Sequence, residues 1–283
     1  MRAEWREDME NLKAKAFELR KDVVDLIVAG KGGHIGGDMS VMEILVTLYY
    51  RIMNISPENM DDQDRDRFIL SKGHSMEAYY AVLCDREFLD KADVMERFSK
   101  FGSPYIGHPN NKLPGIEMSS GSLGHGLPVS VGMALAAKMD GRQYRVYTVM
   151  GDGELAEGSV WEGVMAANQY HLDNLCAVVD RNRLQISGST EEVMGQDDLG
   201  RRFASFGWNV VEAAGNDVEA LTQAFLQAER TKGCPTVIIA NTVKGFGSPV
   251  MENKKEWHHR VPTPEEYDTI IKNFAAGKEA ALS

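Results

Sequence analysis

The sequence predicts an α/β fold: a parallel sheet with helices on both faces. Three observations lead there. From residue 145 to 241, short apolar runs of strand length alternate with longer helical segments. The polar and glycine-rich motifs GDG, DRN and NTVKGFG each follow directly after such a run, so a parallel sheet would gather them at one edge. The composition, 43% hydrophobic and 26% charged over 283 residues, suits a soluble protein with a sizeable core.

The elements follow in order. Residues 8–29 carry Leu12, Ala16, Leu19, Val23, Leu26 and Ile27 at helical spacing. The run stops at GKGGHIGGD, residues 30–38, which holds five glycines. Asp38 or Ser40 can cap the next helix, 41–53. Residues 54–66 form a polar loop, 67–71 a short strand, and 76–83 an apolar helix after the loop KGHS. Residues 101–128 are rich in glycine and proline, and a loop of that length in a compact domain is usually functional or disordered. A helix at 129–138 follows. Strands are expected at 145–150, 175–180, 208–213 and 236–241, and helices at 156–171, 197–206 and 217–231. The main domain spans 1–262, and 263–283 is a short helical tail opened by Thr263-Pro264-Glu265-Glu266.

Composition excludes several functions. The net charge of -11 argues against sequence-independent nucleic-acid binding, which needs a basic face. The N-terminus has no apolar core of a signal peptide, and no stretch reaches membrane-span length, so a cytoplasmic protein without a membrane role is expected. Cys84, Cys176 and Cys234 lie far apart in mostly apolar sequence, as buried thiols do, rather than as a disulfide or zinc framework. Neither G-x-G-x-x-G nor a P-loop follows the first strand, which disfavours a plain nucleotide-binding domain.

The chemistry concentrates at the strand ends. Gly151-Asp152-Gly153 could be only a tight turn. However, with 28 residues between it and Gly153, and after a second strand, comes Asn182. A βαβ unit sets two such strand ends side by side. A carboxylate and an amide carbonyl are hard oxygen ligands of the kind magnesium shares with phosphate oxygens. The glycines let backbone N–H groups approach phosphates, and the following helix adds its positive end. Several histidines stand in loops: His34 in GGHIGG, His74 in SKGHS, His108 in IGHPN, His125 in SLGHG, and His258 and His259 after Trp257. Such groups serve proton transfer or hydroxyl binding.

GDGELAEGSVWEGVMAANQYHLDNLCAVVDRN resembles the cofactor-diphosphate domain of transketolases. GGHIGGD, DRDRFILSKGH, IGHPNNKLPGIEMSSGSLGHG and PTVIIANTVKGFGSPVMENKKEWHH resemble further elements of that family, in order, over residues 12–262. The resemblance implies a thiamin-diphosphate-binding fold. Asp152, Asn182 and the backbone carbonyl of Leu184 would ligate Mg2+, with Ca2+ or Mn2+ as alternatives. His34 and His258 match residues that contact donor hydroxyls and move protons. His74 matches one near the diphosphate and the reacting carbons, and His108 one that contacts the sugar's upper hydroxyls. Gly121, Leu123 and Gly124 match the loop over the thiazolium and diphosphate. Gly151, Gly153 and Glu157 match the cofactor loop, with Glu157 toward a neighbouring subunit. Ile35 and Ser122 replace prolines and His125 often reads as glutamine in the family, departures that bear on donor specificity.

Full-length transketolases are matched only over their first half. The resemblance therefore implies the N-terminal subunit of a split transketolase, inactive without a partner. That partner would carry the pyrimidine-binding and C-terminal domains, in an α2β2 heterotetramer. The implied activity is two-carbon ketol transfer from a ketose phosphate to an aldose. Competing readings are a 2-oxo-acid dehydrogenase alpha-like chain, a deoxyxylulose-phosphate synthase-like subunit, and a non-catalytic subunit retaining the fold.

Overall fold

A computed structural model describes residues 2–283. Helix α1 (Arg2–Gly30) begins earlier than the periodicity predicts, because residues 2–7 are mostly good helix formers and Arg6 pairs with Glu10 one turn on at 2.9 Å. Helix α2 (Ile35–Thr47) also starts early, with His34 at its N-cap. The prediction that Asp38 or Ser40 caps this helix is wrong. Both lie inside it and are fully buried, and Asp38 instead accepts the backbone N–H of Ala78 at 3.0 Å. Gly36 and Gly37 look like breakers in sequence, yet the helix uses Gly36 for close packing: a Cβ there would lie 2.6 Å from the carbonyl of Trp257.

Strand β1 (Arg67–Leu70) leads through Ser71-Lys72-Gly73-His74 into α3 (Met76–Asp85). Helix α4 (Lys91–Arg97), which the periodicity does not reveal, is capped by Asp90. The irregular stretch that follows ends at α5 (Gly126–Met139), which begins before the predicted 129 because Pro128 is tolerated in a first turn. The chain continues through β2 (Val146–Gly151), α6 (Gly158–Gln169) and β3 (Leu175–Arg181). A small hairpin of β4 (Leu184–Gln185) and β5 (Gly188–Ser189), then α7 (Thr190–Met194), are not legible in sequence. The last elements are α8 (Leu199–Ser205), β6 (Asn209–Ala214), α9 (Val218–Arg230), β7 (Thr236–Asn241) and α10 (Pro264–Ala281).

The main sheet is parallel throughout, in the order β1-β2-β3-β7-β6. Strand residues alternate between two cores. Tyr147, Val149, Cys176, Val178 and Ile238 join the α1, α2, α3 and α9 side. Val146, Met150, Ala177, Val179, Val237 and Ile239 join the α5, α6 and α8 side. Helix α10 lies along α1, with Ile270 and Phe274 buried in the first core. Its first turn has the expected capping box: Thr263 accepts from Glu266 N at 3.3 Å, and Glu266 accepts from Thr263 N at 2.9 Å. Among the described residues, no helix is long and apolar enough to cross a membrane.

Candidate active site

The carboxyl ends of β1, β2, β3 and β7 open onto one cleft of about 410 Å³. Its lining includes His34, His74, His108 and His258, together with Gly121, Leu123, Asp152, Gly153, Asn182 and Leu184. These residues come from seven separate stretches of the chain. His34 enters from the start of α2, His74 from the loop before α3, and His258 from a one-turn helix near the C-terminus. Three predicted residues stand outside the lining. Gly151 ends β2, Gly124 sits behind the cleft wall, and Glu157 is exposed at the N-cap of α6.

The four rings form a tight group. The His34 centroid lies 5.5 Å from His74, 5.9 Å from His108 and 5.6 Å from His258. His259 stands edge-on to His34 at 4.7 Å, though it lies outside the cleft lining. Burial lowers the pKa of His34 to about 4, reinforced by His259 and His108. His258 is lowered to about 3, by burial first and then by the Lys244 ammonium. His74 is pushed well below 6.5 and His108 downward, chiefly by burial. The rings are therefore neutral at pH 7, each with one nitrogen able to accept a proton. Among the described residues, the buried Nδ1 of His34 has no hydrogen-bond partner, which leaves it able to bond a polar group in the cleft.

Asp152 is buried and accepts the N–H of Gly153 at 2.9 Å and of Arg183 at 2.6 Å. Burial, then the charge of Asp180, raises its pKa to about 6. Asn182 Oδ1 accepts from Leu184 N at 3.1 Å, which folds the chain so that the Leu184 carbonyl faces the cleft. That carbonyl accepts the Lys244 ammonium at 3.1 Å, and the same ammonium meets His258 Nδ1 at 2.9 Å. Among the described residues no three His, Cys, Asp or Glu side chains gather as a metal site. The candidate set thus relies on one carboxylate, one amide oxygen and one backbone carbonyl. It fits a hard cation: an ammonium already rests on the carbonyl, and Asp152 is a buried carboxyl beside a second anion.

Some functional residues escape sequence reasoning. Lys72 and Asp180 form a buried ion pair behind the cleft, and Ser40 and Thr242 also donate to Asp180. Glu154 ties three loops together by accepting from the Ser71 hydroxyl, Gly124 N at 2.8 Å and Gly151 N at 3.0 Å. Lys72, Asp180, Glu154 and Lys244 all stand within or beside the quoted motifs KGH, DRN, GDG and KGFG, so their letters are visible although their partners are not.

The profile described as transketolase, thiamine diphosphate binding domain, matches residues 12–275. An apulose-4-phosphate transketolase subunit of Phocaeicola vulgatus is 46% identical over 267 residues, covering 94% of this chain and 95% of that protein. The 6-deoxy-6-sulfo-D-fructose transketolase subunit SqwG of Clostridium sp. is 36% identical over 262 residues, covering 92% and 95% respectively. The crystal structure of Campylobacter jejuni transketolase superposes with a TM-score of 0.88 at 27% identity, over 96% of this chain and 46% of that one. The chain thus spans less than half the length of that transketolase. With the sheet order, the cleft at the strand ends and these likenesses in agreement, the chain belongs to the transketolase family, in the part that forms its thiamine diphosphate binding domain.

Proposed function

We propose that this chain is the N-terminal subunit of a two-chain transketolase that moves a two-carbon ketol unit from a ketose phosphate to an aldose. The observation that carries this reading is the convergence of four neutral histidines with Asp152, Asn182 and Leu184 in one cleft. The full-length coverage of two relatives named as transketolase subunits supports it. Bound thiamin diphosphate supplies the electron sink for carbon–carbon cleavage. Asp152, Asn182 and the Leu184 carbonyl would hold a divalent cation, Mg2+ first, with Gly121, Leu123, Gly124, Gly151 and Gly153 admitting the diphosphate. Glu157, exposed beside Gly124, would meet a neighbouring subunit.

The chain's own chemistry lies in its imidazoles. His34 and His258 would hold the donor's hydroxyls and carry their protons, His108 would bind the upper hydroxyls, and His74 would stand near the diphosphate. Neutral rings suit this work because each can accept a proton at one nitrogen while donating at the other. The pyrimidine pocket and activating carboxylate would come from a partner chain in an α2β2 assembly in the cytoplasm. We place residues 1–262 as the binding domain and 263–283 as an appended helix.

The relatives' names point to branched and sulfonated ketoses as donors to try beside xylulose 5-phosphate. The test is a two-carbon transfer assay with thiamin diphosphate and Mg2+. The chain is run alone and with a candidate partner carrying the pyrimidine-binding domain, using xylulose 5-phosphate, apulose 4-phosphate and 6-deoxy-6-sulfofructose. Activity is expected only in the mixture and is lost on Asp152→Ala. Turnover by the chain alone would overturn the two-chain reading.

A further inference from the structure

Two histidines of the cleft are mounted in the same way. His34 is the N-cap of α2 with φ -96° and ψ 51°, and Ser75, next to His74, is the N-cap of α3 with φ -98° and ψ 42°. Neither cap residue uses its side chain to bond its own helix. A helix start normally needs such a bond, since its first N–H groups have no partner within the helix. For α3 an acceptor comes from the opposite helix. Asp38, in the first turn of α2, accepts from Ala78 N at the start of α3 at 3.0 Å. Glu77, in the first turn of α3, reaches toward the start of α2, where its Oε1 would stand 2.7 Å from a Cβ on Gly33, the residue before His34.

The two carboxyls also lie near each other. Both are buried, at 0% and 1% exposure, in the first turns of the two facing helices. One oxygen of each, Asp38 Oδ2 and Glu77 Oε2, has no hydrogen-bond partner among the described residues. Two carboxylates cannot share a hydrogen bond unless one keeps a proton, and two adjacent buried charges cannot both remain ionised. The nearby cation, Lys72, is bonded to Asp180 and to the Gly37 carbonyl instead. Sequence supports the geometry as well: a Cβ on Gly33 would stand 2.7 Å from Glu77 Oε1, so glycine there leaves room for the carboxyl.

We propose that Asp38 and Glu77 form a reciprocal carboxyl clamp, joined by one shared proton, that caps α2 and α3 from across the helix pair and fixes His34 against His74. Asp38 and Glu77 are positioning residues. Because the clamp supplies the caps, the imidazole of His34 is left free to face the cleft. The bearing of the clamp on two-carbon transfer rests on the function proposed above, whereas the clamp itself does not.

The test reads amide hydrogen exchange at His34 and Ala78 in the full chain. Asp38→Ala should expose Ala78 N–H, and Glu77→Ala should expose His34 N–H, each exchanging about tenfold faster or more, since each loses its acceptor. Amides in β3 should keep their protection, which reports that the fold is intact. Asp38→Asn keeps an acceptor for Ala78 and replaces the shared proton with an N–H donor, so both amides should stay protected. A folded alanine variant with unchanged exchange would overturn the clamp, as would Asp38→Asn loosening the amides as much as alanine does. Should an alanine variant not fold, the infrared difference between wild type and Glu77→Gln at pH 7 decides the matter. The clamp requires that a protonated-carboxyl band be lost in that variant, and no such band in the wild type would refute the shared proton. In the two-chain mixture, the alanine variants should lower kcat for donor cleavage without weakening thiamin diphosphate binding. Intact exchange behaviour in an inactive wild-type mixture would unseat the proposed function and leave the clamp standing.

Discussion

Lys72 and Asp180 form an ion pair that is 1% and 0% exposed, behind the strand ends that frame the cleft. Lys72 follows β1 and Asp180 lies near the end of β3, so the pair bridges across β2 and its Gly151-Asp152-Gly153 turn. Asp180 also accepts from Ser40 at 2.6 Å and from Thr242, which ties α2 and the segment after β7 to the same carboxylate. The Lys72 ammonium, with the other donors, holds this carboxyl below the usual range despite its burial.

Removing one partner of such a pair is costly because the other charge stays buried. Lys72→Met should destabilise the chain by about 3–5 kcal/mol. The measurement is urea unfolding, with a lower midpoint at an unchanged slope. A loss below about 1 kcal/mol would mean that solvent reaches Asp180.

Glu154 is the second buried joint, and its effect should be local. Glu154→Ala takes the acceptor from the Ser71 hydroxyl, Gly124 N and Gly151 N at once. One unsatisfied buried donor costs about 1–3 kcal/mol, and the space opened here admits water to some of them, so the total should fall at about 2–4 kcal/mol. Calorimetry of the full chain checks the size. Thiamin diphosphate titration with the partner present should show weaker binding, because two cofactor-loop segments lose a common anchor.

These two residues mark where sequence stops being legible. The strands at 175–181 and 236–241 can be read almost to the residue because long apolar runs bounded by turns have few alternative readings. The histidines and the GDG and DRN motifs stand out because each follows an apolar run or sits among glycines. The pairing of Lys72 with Asp180 depends on β1 and β3 both flanking β2, and no local pattern encodes strand order. Asp38 misleads for a related reason. Its place before an apolar run fits a helix cap, but the helix it caps is α3, reached only once α2 and α3 pack together. The hairpin at 184–189 escapes notice because two-residue strands leave no periodicity to detect.

Gly124 offers a test of the loop before α5. Its φ is +82°, and a Cβ there would lie 2.6 Å from both Glu157 Cβ and Ser159 Oγ. Gly124→Ala must meet the left-handed backbone cost of about 1–2 kcal/mol and also displace the start of α6. The chain should fold with a lower melting temperature. In the two-chain mixture, cofactor affinity should drop by about tenfold or more, because this N–H also anchors Glu154. Unchanged affinity would separate the loop from the cofactor site.

The histidine cluster predicts how stability varies with pH. His34 and His258 titrate near pH 4 and 3 in the folded chain, below the ordinary value of 6.5 expected when unfolded. Above pH 6.5 both states are neutral and the contribution is fully present. As pH falls below 6.5, the unfolded chain takes up protons that the folded cleft refuses, so stability is lost progressively down to the folded values. The slope is at most about 1.4 kcal/mol per pH unit for each ring, and less here because both rings keep solvent contact. Asp38 works in the opposite sense. Burial pushes its carboxyl from 3.8 up to about 7, so its contribution is fully present below the lower value and lost as pH rises to the upper one. The deciding measurement is therefore a difference: melting temperatures of wild type, His34→Gln and His258→Gln from about pH 7.5 to 5. Each glutamine variant should show a shallower fall than wild type across that window. Parallel curves would mean that these rings protonate freely in the folded chain, and the neutral cleft assigned to donor binding would then be wrong.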